Sequence, residues 1–404
     1  MRIAIIGGGI GGLTAALALR QFGFEPQIFE QAPHLLEVGA AILMWPNAMR
    51  VLDRLGLAKT IREQGGRLEE SSWLRRDGKA LNNFSFPKTD QPAVAVHRAA
   101  LQQALVSAVR ADFVHLDHVF ESYEQLPDRV VSRFRNGQSF EADILIGADG
   151  VHSRAREQLL NDGPPTDHHY VAWRGVVSDA FSSVQSTTAT EIYGRGQRFG
   201  IGPLGAGGIG WWASVNKSLQ TDRNQRNNAQ GTAGAKDPES IRQELLELFG
   251  NWCEPVPELI RVTPLKALVK NAVRDRPPAE KWGTGAISLL GDAIHPLTPN
   301  LGQGGCLAIE DAAVLARCIE KYARDGETTE PQIAASLALR RFESARRRRT
   351  AWLARFSRAY GVIGQWETRS AVQLRDFGLS LVPNGLTTRF LRAVFEYDAY
   401  AVRI

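Results

Sequence analysis

Apolar residues along the chain fall into three textures. The first is a short aliphatic run that stops at glycine, and it recurs at residues 2–6, 141–146 and 286–290. Unbroken runs of this length, bounded by small residues, read as strands buried on both faces. Helix-forming sequence follows each of them: residues 13–22, a stretch opening at Ser153, and residues 306–324 beyond a glycine-rich segment. Strand, tight turn and helix therefore come in that order three times.

The second texture is alternating and aromatic. It covers 70–75, 80–86 and 93–96, then 170–177, 190–193, 198–201 and 209–215, with short pieces at 113–116, 121–126 and 130–134. Asp77-Gly78 and Asn136-Gly137 supply turn residues that tolerate positive φ. In the third texture apolar residues recur three and four apart. It predicts helices at 48–57 (Met49, Leu52, Leu55), 97–110, 238–249 (Ile241, Leu245, Leu248) and from 333 onward. Residues 216–237 are polar with few large apolar groups, and a mobile loop is expected there.

The glycines give the first texture its chemistry. Gly7, Gly9 and Gly12 stand in G-x-G-x-x-G spacing, with Gly11 between, at the junction of strand and helix. Gly7 permits the reversal, Gly9 lets the backbone approach a pyrophosphate, and Gly12 lets the helix sit close on the strand. The helix N-terminus then offers free N–H groups to an anion. A second aliphatic strand, 26–29, ends in Glu30, at the spacing where a carboxylate takes a ribose diol.

The two later runs end in the same way, at Asp149-Gly150 and at Gly291-Asp292. Gly302, Gln303, Gly304 and Gly305 then aim backbone N–H groups at something electron-rich ahead of the next helix. Three such strand ends converge on one extended ligand, although Asp149 could also be an ordinary turn residue. Gly205 to Gly210 repeats the glycine spacing, but a strand follows it, so it reads as a hairpin turn. Around residues 38–42 small residues including Ala41 could let a flat ring lie on the backbone, as could an ordinary loop. Arg98, opening a helix, could reach a phosphate or simply be solvated.

Composition narrows the setting. A 404-residue chain with 44% hydrophobic content can bury more than one core, and its net charge of +5 is spread among 43 acids, which argues against nucleic acid as a partner. Cys253, Cys306 and Cys318 show no metal-ligand or disulfide pattern and read as packing residues, so no metal site is expected. With no basic leader and no apolar stretch near 18 residues, a cytoplasmic protein without a transmembrane segment is expected. Arg346 to Arg349 read most simply as a solvated helix face.

Three fingerprints carry a resemblance that covers nearly the whole chain. They are Gly7-x-Gly9-x-x-Gly12 with Glu30, Asp149-Gly150 within 146–153, and Gly291-Asp292 followed by Pro296 and Gly302–Gly305. With them the sequence resembles the single-component flavoprotein monooxygenases of the para-hydroxybenzoate hydroxylase type, near the salicylate hydroxylase, urate hydroxylase and zeaxanthin epoxidase branches. The resemblance implies an α/β fold. A Rossmann-like FAD-binding domain (1–70, 98–168 and 280–330) would interleave with an antiparallel β-sheet substrate domain (71–97 and 169–279), followed by C-terminal helices (331–404).

It also implies FAD, with Glu30 on the adenosine ribose, Arg98 near the phosphates or ribityl chain, Asp292 on the ribityl hydroxyls, and Gln31, Ala41 and Val119 among the contacts. NADH or NADPH would visit transiently, O2 would add to the reduced flavin as a C4a-hydroperoxide, and one oxygen atom would pass to a planar aromatic substrate. Pro296 matches the proline beside that oxygen. Arg198 matches an active-site arginine of the urate hydroxylases, but their sheet tyrosine falls at Gly210, which argues against urate. Trp45, Trp173, Tyr193 and Trp211 are candidates for an aromatic pocket, and His295 for taking a phenolic proton. The assembly expected is a monomer or homodimer. Epoxidation of a prenyl or polyene substrate, an oxidase that only makes peroxide, and a flavin-binding protein without activity stay open as alternatives.

Overall fold

The computed structural model describes residues 1–35, 40–178, 187–220, 238–324 and 330–404. The three glycine-ended runs lie side by side in one six-stranded sheet. Its order is Gly283–Thr284, Ile287–Leu289, Ile144–Gly147, Ile3–Ile6, Gln27–Phe29 and Val114–His115. All pairs are parallel except the first. Ile3, Ala4, Ile5, Ile144, Leu145 and Ile146 are all buried, as continuous aliphatic strands covered on both faces require. The helices Ile10–Gln21 and Gly304–Arg324 pack against one another, so their N-termini open on the same side of the sheet.

A seven-stranded sheet forms the second layer. It runs Val269–Asp275, Thr166–Val177, Ile209–Asn216, Gln197–Pro203, Thr188–Tyr193, Glu70–Arg75 and Ala80–Ser85. Alternation gives it two unlike faces. Val171, Trp173, Ile192, Phe199, Ile201, Trp211, Ala213 and Val215 point one way, into an apolar core closed by the helices Pro238–Phe249 and Val256–Val262. The opposite face carries Tyr170, Arg174, Glu191, Arg198, Trp212 and Ser214, and through Arg198 and Tyr170 it meets Asn300 in the turn Pro299–Leu301.

The 34-residue helix Pro331–Gly364 packs along Gly304–Arg324 and reaches the second sheet at its far end. Two shorter helices, Arg369–Ser380 and Asn384–Phe395, close the chain beside the edge strand Ala80–Ser85.

The helix expected at 48–57 is Pro46–Arg54, ending just before Gly56 with φ 77°, and a further helix that the periodicity did not show, Ala58–Gln64, follows it. The helix expected from 306 begins earlier, at Gly304. The mobile loop expected at 216–237 falls largely on residues 221–237, outside the described residues. The arginine run is a correction. Arg346 is fully buried and Arg349 nearly so, because both pair with acids of Gly304–Arg324, while Arg347 and Arg348 alone face solvent.

Candidate active site

The first turn is shaped by what lies beside each glycine. Gly7 has φ 108°, and a Cβ there would stand 2.4 Å from the Ala148 carbonyl oxygen; at Gly12 it would stand 2.0 Å from that of Gly7. Neither position admits a side chain. At Gly9 no atom of another described residue lies within 4 Å of such a Cβ, so among the described residues this glycine has a bare face in front of the helix. Glu30 is fixed beside it, its two oxygens accepting from the N–H groups of Gly8 (2.6 Å) and Ala32 (2.9 Å). Val119 adjoins the same corner through His118, whose N–H donates to the Glu30 carbonyl. Gln31 is exposed.

Asp149 has work inside the protein. Its Oδ2 accepts from the N–H groups of Arg154 and Ala155, and Ser153 caps the same helix, Arg154–Leu160. Its Oδ1 is buried without a partner. Gly150 has φ 79° and open space on its Cβ side.

The third strand end differs. Asp292 accepts no hydrogen bond from any described residue and is exposed along the cleft although it lies deep in the molecule. Burial raises its pKa, opposed by His295 and Arg98. Because the carboxylate touches solvent, screening reduces that effect. Arg98 is likewise exposed, its backbone N–H donating to the Ala40 carbonyl beside Ala41. The Cβ position of Gly304, at the mouth of its helix, lies 3.7 Å from Asp292 Oδ1.

Two helix N-termini, a carboxylate (Asp292) and a guanidinium (Arg98) without partners among the described residues, and the bare face of Gly9 thus lie at the ends of neighbouring strands and line one extended cleft. Anionic phosphates suit the helix ends and Arg98, and diols suit Glu30 and Asp292. The residues present fit a flavin dinucleotide.

The loops behind the cleft are held by buried charges. Asp311 accepts from the Gly291 N–H (3.1 Å), His295 Nε2 (2.5 Å) and Arg346 Nε (2.6 Å). Burial pushes its carboxyl up, but the charges of His295 and Arg346 overcome this and bring it down to about 2. Glu310 pairs with Arg346 and Arg349 and accepts from Asn47, which also donates to Gln303. The Gln303 side chain therefore points away from the cleft, leaving only its backbone to face it.

His295 lies in this scaffold. It is 4% exposed, packs against Trp282, and its free Nδ1 borders a cavity of about 10 Å³, room for one water. Pro296, next to it, is buried.

Across the cleft a second polar network ties the sheet to the turn Pro299–Leu301. Arg198 is 1% exposed, and each of its three guanidinium nitrogens donates one hydrogen bond: to Glu191 Oε1 (3.0 Å), Gln365 Oε1 (3.1 Å) and Asn300 Oδ1. Asn300 in turn donates to Thr298 Oγ1, Tyr170 Oη and the Ser357 carbonyl. Tyr193 and Tyr360 bond through their hydroxyls, and Tyr360 donates to Glu191. Burial, reinforced by Glu191, raises both phenols well above their ordinary value, so both stay neutral.

The other aromatic candidates separate by strand phase. Trp173 and Trp211 sit in the apolar core on the far side of the sheet, Trp211 stacked on Phe199 and bonded to Thr263. One residue along, Trp212 faces the cleft between Arg198 and Arg174, lying against Gly200, where a Cβ would stand 2.0 Å from its Nε1. Trp45 braces the turn from behind by donating to the Leu301 carbonyl. Sequence reasoning missed Trp212, Arg174, Asn300 and the Glu310–Asp311–Arg346 cluster. The alternation around Arg198 held the signal for Trp212, since both lie on even positions of paired strands.

Comparison with known proteins agrees with this geometry. Residues 1–330 match the family described as FAD binding domain. The chain is 37% identical over 380 residues to the aurachin C monooxygenase/isomerase of Stigmatella aurantiaca, covering 93% of each. The chain belongs to this family of FAD-dependent monooxygenases. A crystal structure of Klebsiella pneumoniae HpxO complexed with FAD and uric acid superposes with a TM-score of 0.85 at 28% identity, covering 98% of this monooxygenase and 97% of that chain. The zeaxanthin epoxidase of Solanum lycopersicum is 31% identical over 364 residues, 86% of this chain and 52% of that one, so this monooxygenase spans about half of that relative. Among the described residues no helix is long and apolar enough to cross a membrane.

Proposed function

We propose that this monooxygenase hydroxylates a planar aromatic compound, with NADH or NADPH as reductant, in the space between the even face of the seven-stranded sheet and the turn Pro299–Leu301. The observation that carries the reading is Trp212, a flat indole backed by Gly200 and flanked by Arg174 and Arg198. Such a wall suits a ring that stacks and bears an electron-rich substituent. An aromatic ligand in the HpxO complex supports the substrate class, while Gly210 in place of a tyrosine argues against uric acid itself.

FAD, when bound, supplies the electron transfer and activates O2. The chain's own residues do the rest. Glu30 and Asp292 hold hydroxyls of the cofactor, Arg98 and the helix N-termini face its phosphates, and N–H groups of residues 302–305 favour negative charge at its ring. Gln303, turned back onto Asn47, fixes the orientation of those N–H groups. Arg198, buried and bonded through each of its three guanidinium nitrogens, is a positioning residue that sets Asn300 and the turn. His295 positions Gly291 through Asp311. Neutral Tyr193 and Tyr360 close the chamber against water without charging it.

The test is to screen aromatic acids, phenols and quinolones for faster flavin reduction by each nicotinamide, with product mass increased by one oxygen atom. Reduction unaffected by every aromatic ring, with turnover only on a polyene, would replace this reading by epoxidation, which the zeaxanthin epoxidase relatives support. Peroxide release without any oxygenated product would leave an oxidase.

A further inference from the structure

Twelve-residue helices at the C-terminal end, Arg369–Ser380 and Asn384–Phe395, leave their outer sides bare. Leu374, Phe377, Leu381 and Leu386 are 62%, 63%, 61% and 62% exposed. Leu374, Phe377 and Leu381 recur three and four apart on one helix face, and the turn at 381–383 carries the stripe over to Leu386. One turn further, Phe390 stacks on Phe356 with ring centroids 4.2 Å apart and touches Trp352, both exposed on the long helix. The stripe therefore continues across three helices. Scattered exposed apolar residues are ordinary, but a contiguous set of this size marks an interaction surface.

Charge selects the occupant. From residue 352 to 395 the chain has six arginines against two acids. Both acids face inward: Asp376 pairs with Arg375, and Glu367 accepts from Asn216 and Ser218. Arg355, Arg369 and Arg389 are exposed and form no ion pair with any described residue. A second copy of the chain, docked face to face about a two-fold axis, would oppose two arginine-rich faces with few acids between them to pair the cations. An anionic bilayer satisfies both features at once, taking the leucine and phenylalanine side chains into the acyl boundary and the guanidiniums at its phosphates.

We propose that the helices Arg369–Ser380 and Asn384–Phe395, with the adjoining face of Pro331–Gly364, dock this monooxygenase on an anionic membrane surface. It lies on the bilayer without spanning it. Arg375, on the inner side of the first of these helices, lies over Tyr193, whereas Phe377, Leu386, Arg369 and Arg389 point outward and can be altered without touching the polar networks of the cleft.

The flavin-loaded full chain is sedimented with phosphatidylcholine vesicles, either pure or containing about a third phosphatidylglycerol. Binding to the mixed vesicles and little to the neutral ones is expected. The double variant Phe377→Asp/Leu386→Asp should lower partitioning by more than about tenfold, and Arg369→Glu and Arg389→Glu by roughly fivefold each, with unchanged flavin content. Three results would overturn the proposal: wild type left in the supernatant with anionic vesicles, the double variant binding as well as wild type, or the double variant converting a dimer to a monomer with vesicle binding intact. The last would identify a second copy as the occupant.

Discussion

The two walls of the cleft are made of different material. On the cofactor side the groups that face inward are mostly backbone: N–H groups at two helix starts and glycines whose side-chain positions are either filled by protein, as at Gly7, or bare, as at Gly9. On the opposite side they are side chains drawn from distant segments, with Arg198 joining Glu191, Asn300 and Gln365. A backbone wall recognises what every flavin shares. A side-chain wall can be rebuilt residue by residue, so substrate choice can change while cofactor choice does not.

The backbone wall depends on buried charges behind it, which gives the largest expected effect. Arg346→Met leaves buried Glu310 with Arg349 alone and buried Asp311 with His295 alone, and should cost about 3–5 kcal/mol in urea unfolding. A loss below about 1 kcal/mol would mean that the glycine loops hold themselves. On the other wall, neighbouring tryptophans should part company. Trp211→Ala should cost about 3–5 kcal/mol in the same assay and leave substrate affinity intact. Trp212→Ala should cost about 1 kcal/mol and raise KM for the aromatic substrate. Similar stability losses from the two would erase the distinction between the faces of the sheet.

The contrast within the cofactor wall is between a carboxylate and a proline. Asp292→Ala should weaken FAD binding roughly 10- to 100-fold in equilibrium dialysis. Pro296→Ala should keep FAD and change the ratio of product to peroxide. Equal FAD retention would remove Asp292 from the cradle.

The effect confined to the narrowest range of conditions is on acid stability. The folded pKa of Asp311, about 2, lies below the ordinary carboxylate value. The stabilisation is therefore complete above pH about 4 and fades as pH falls toward 2, on the order of 2 kcal/mol in all. Unfolding curves recorded across that window should flatten in Asp311→Asn.

Most of the backbone wall was legible in the sequence, because glycine spacing and aliphatic runs are local signals. Gly7, Gly9, Gly12, Glu30 and Asp292 stand where a strand-turn-helix reading puts them. The side-chain wall was not, for two physical reasons. Phase along a strand decides whether Trp211 or Trp212 faces the cleft, and a run of adjacent aromatics hides the phase. Burial of charge depends on partners far away in the chain: Arg346 reads as solvated until Glu310 and Asp311 are seen 2.6 Å from it. His295 was placed at the chemistry by nearness to Pro296, yet its ring turns back onto the buried carboxylate of Asp311, a partner sixteen residues away that no local pattern marks.

The long helix carries a consequence for motion. At 34 residues it is a rod about 50 Å long. Arg346 grips the flavin loops at one station, and Tyr360, Gly361 and Gly364 meet the substrate network at another. Glycines at 361 and 364 bring Asn300 and Arg198 so near that a Cβ would stand 2.3 Å and 2.9 Å from them. A rod clamped at both stations cannot yield at one alone. Any tilt that admits substrate would be felt at Gly291, so entry of the ring and readiness of the cofactor would keep time with each other.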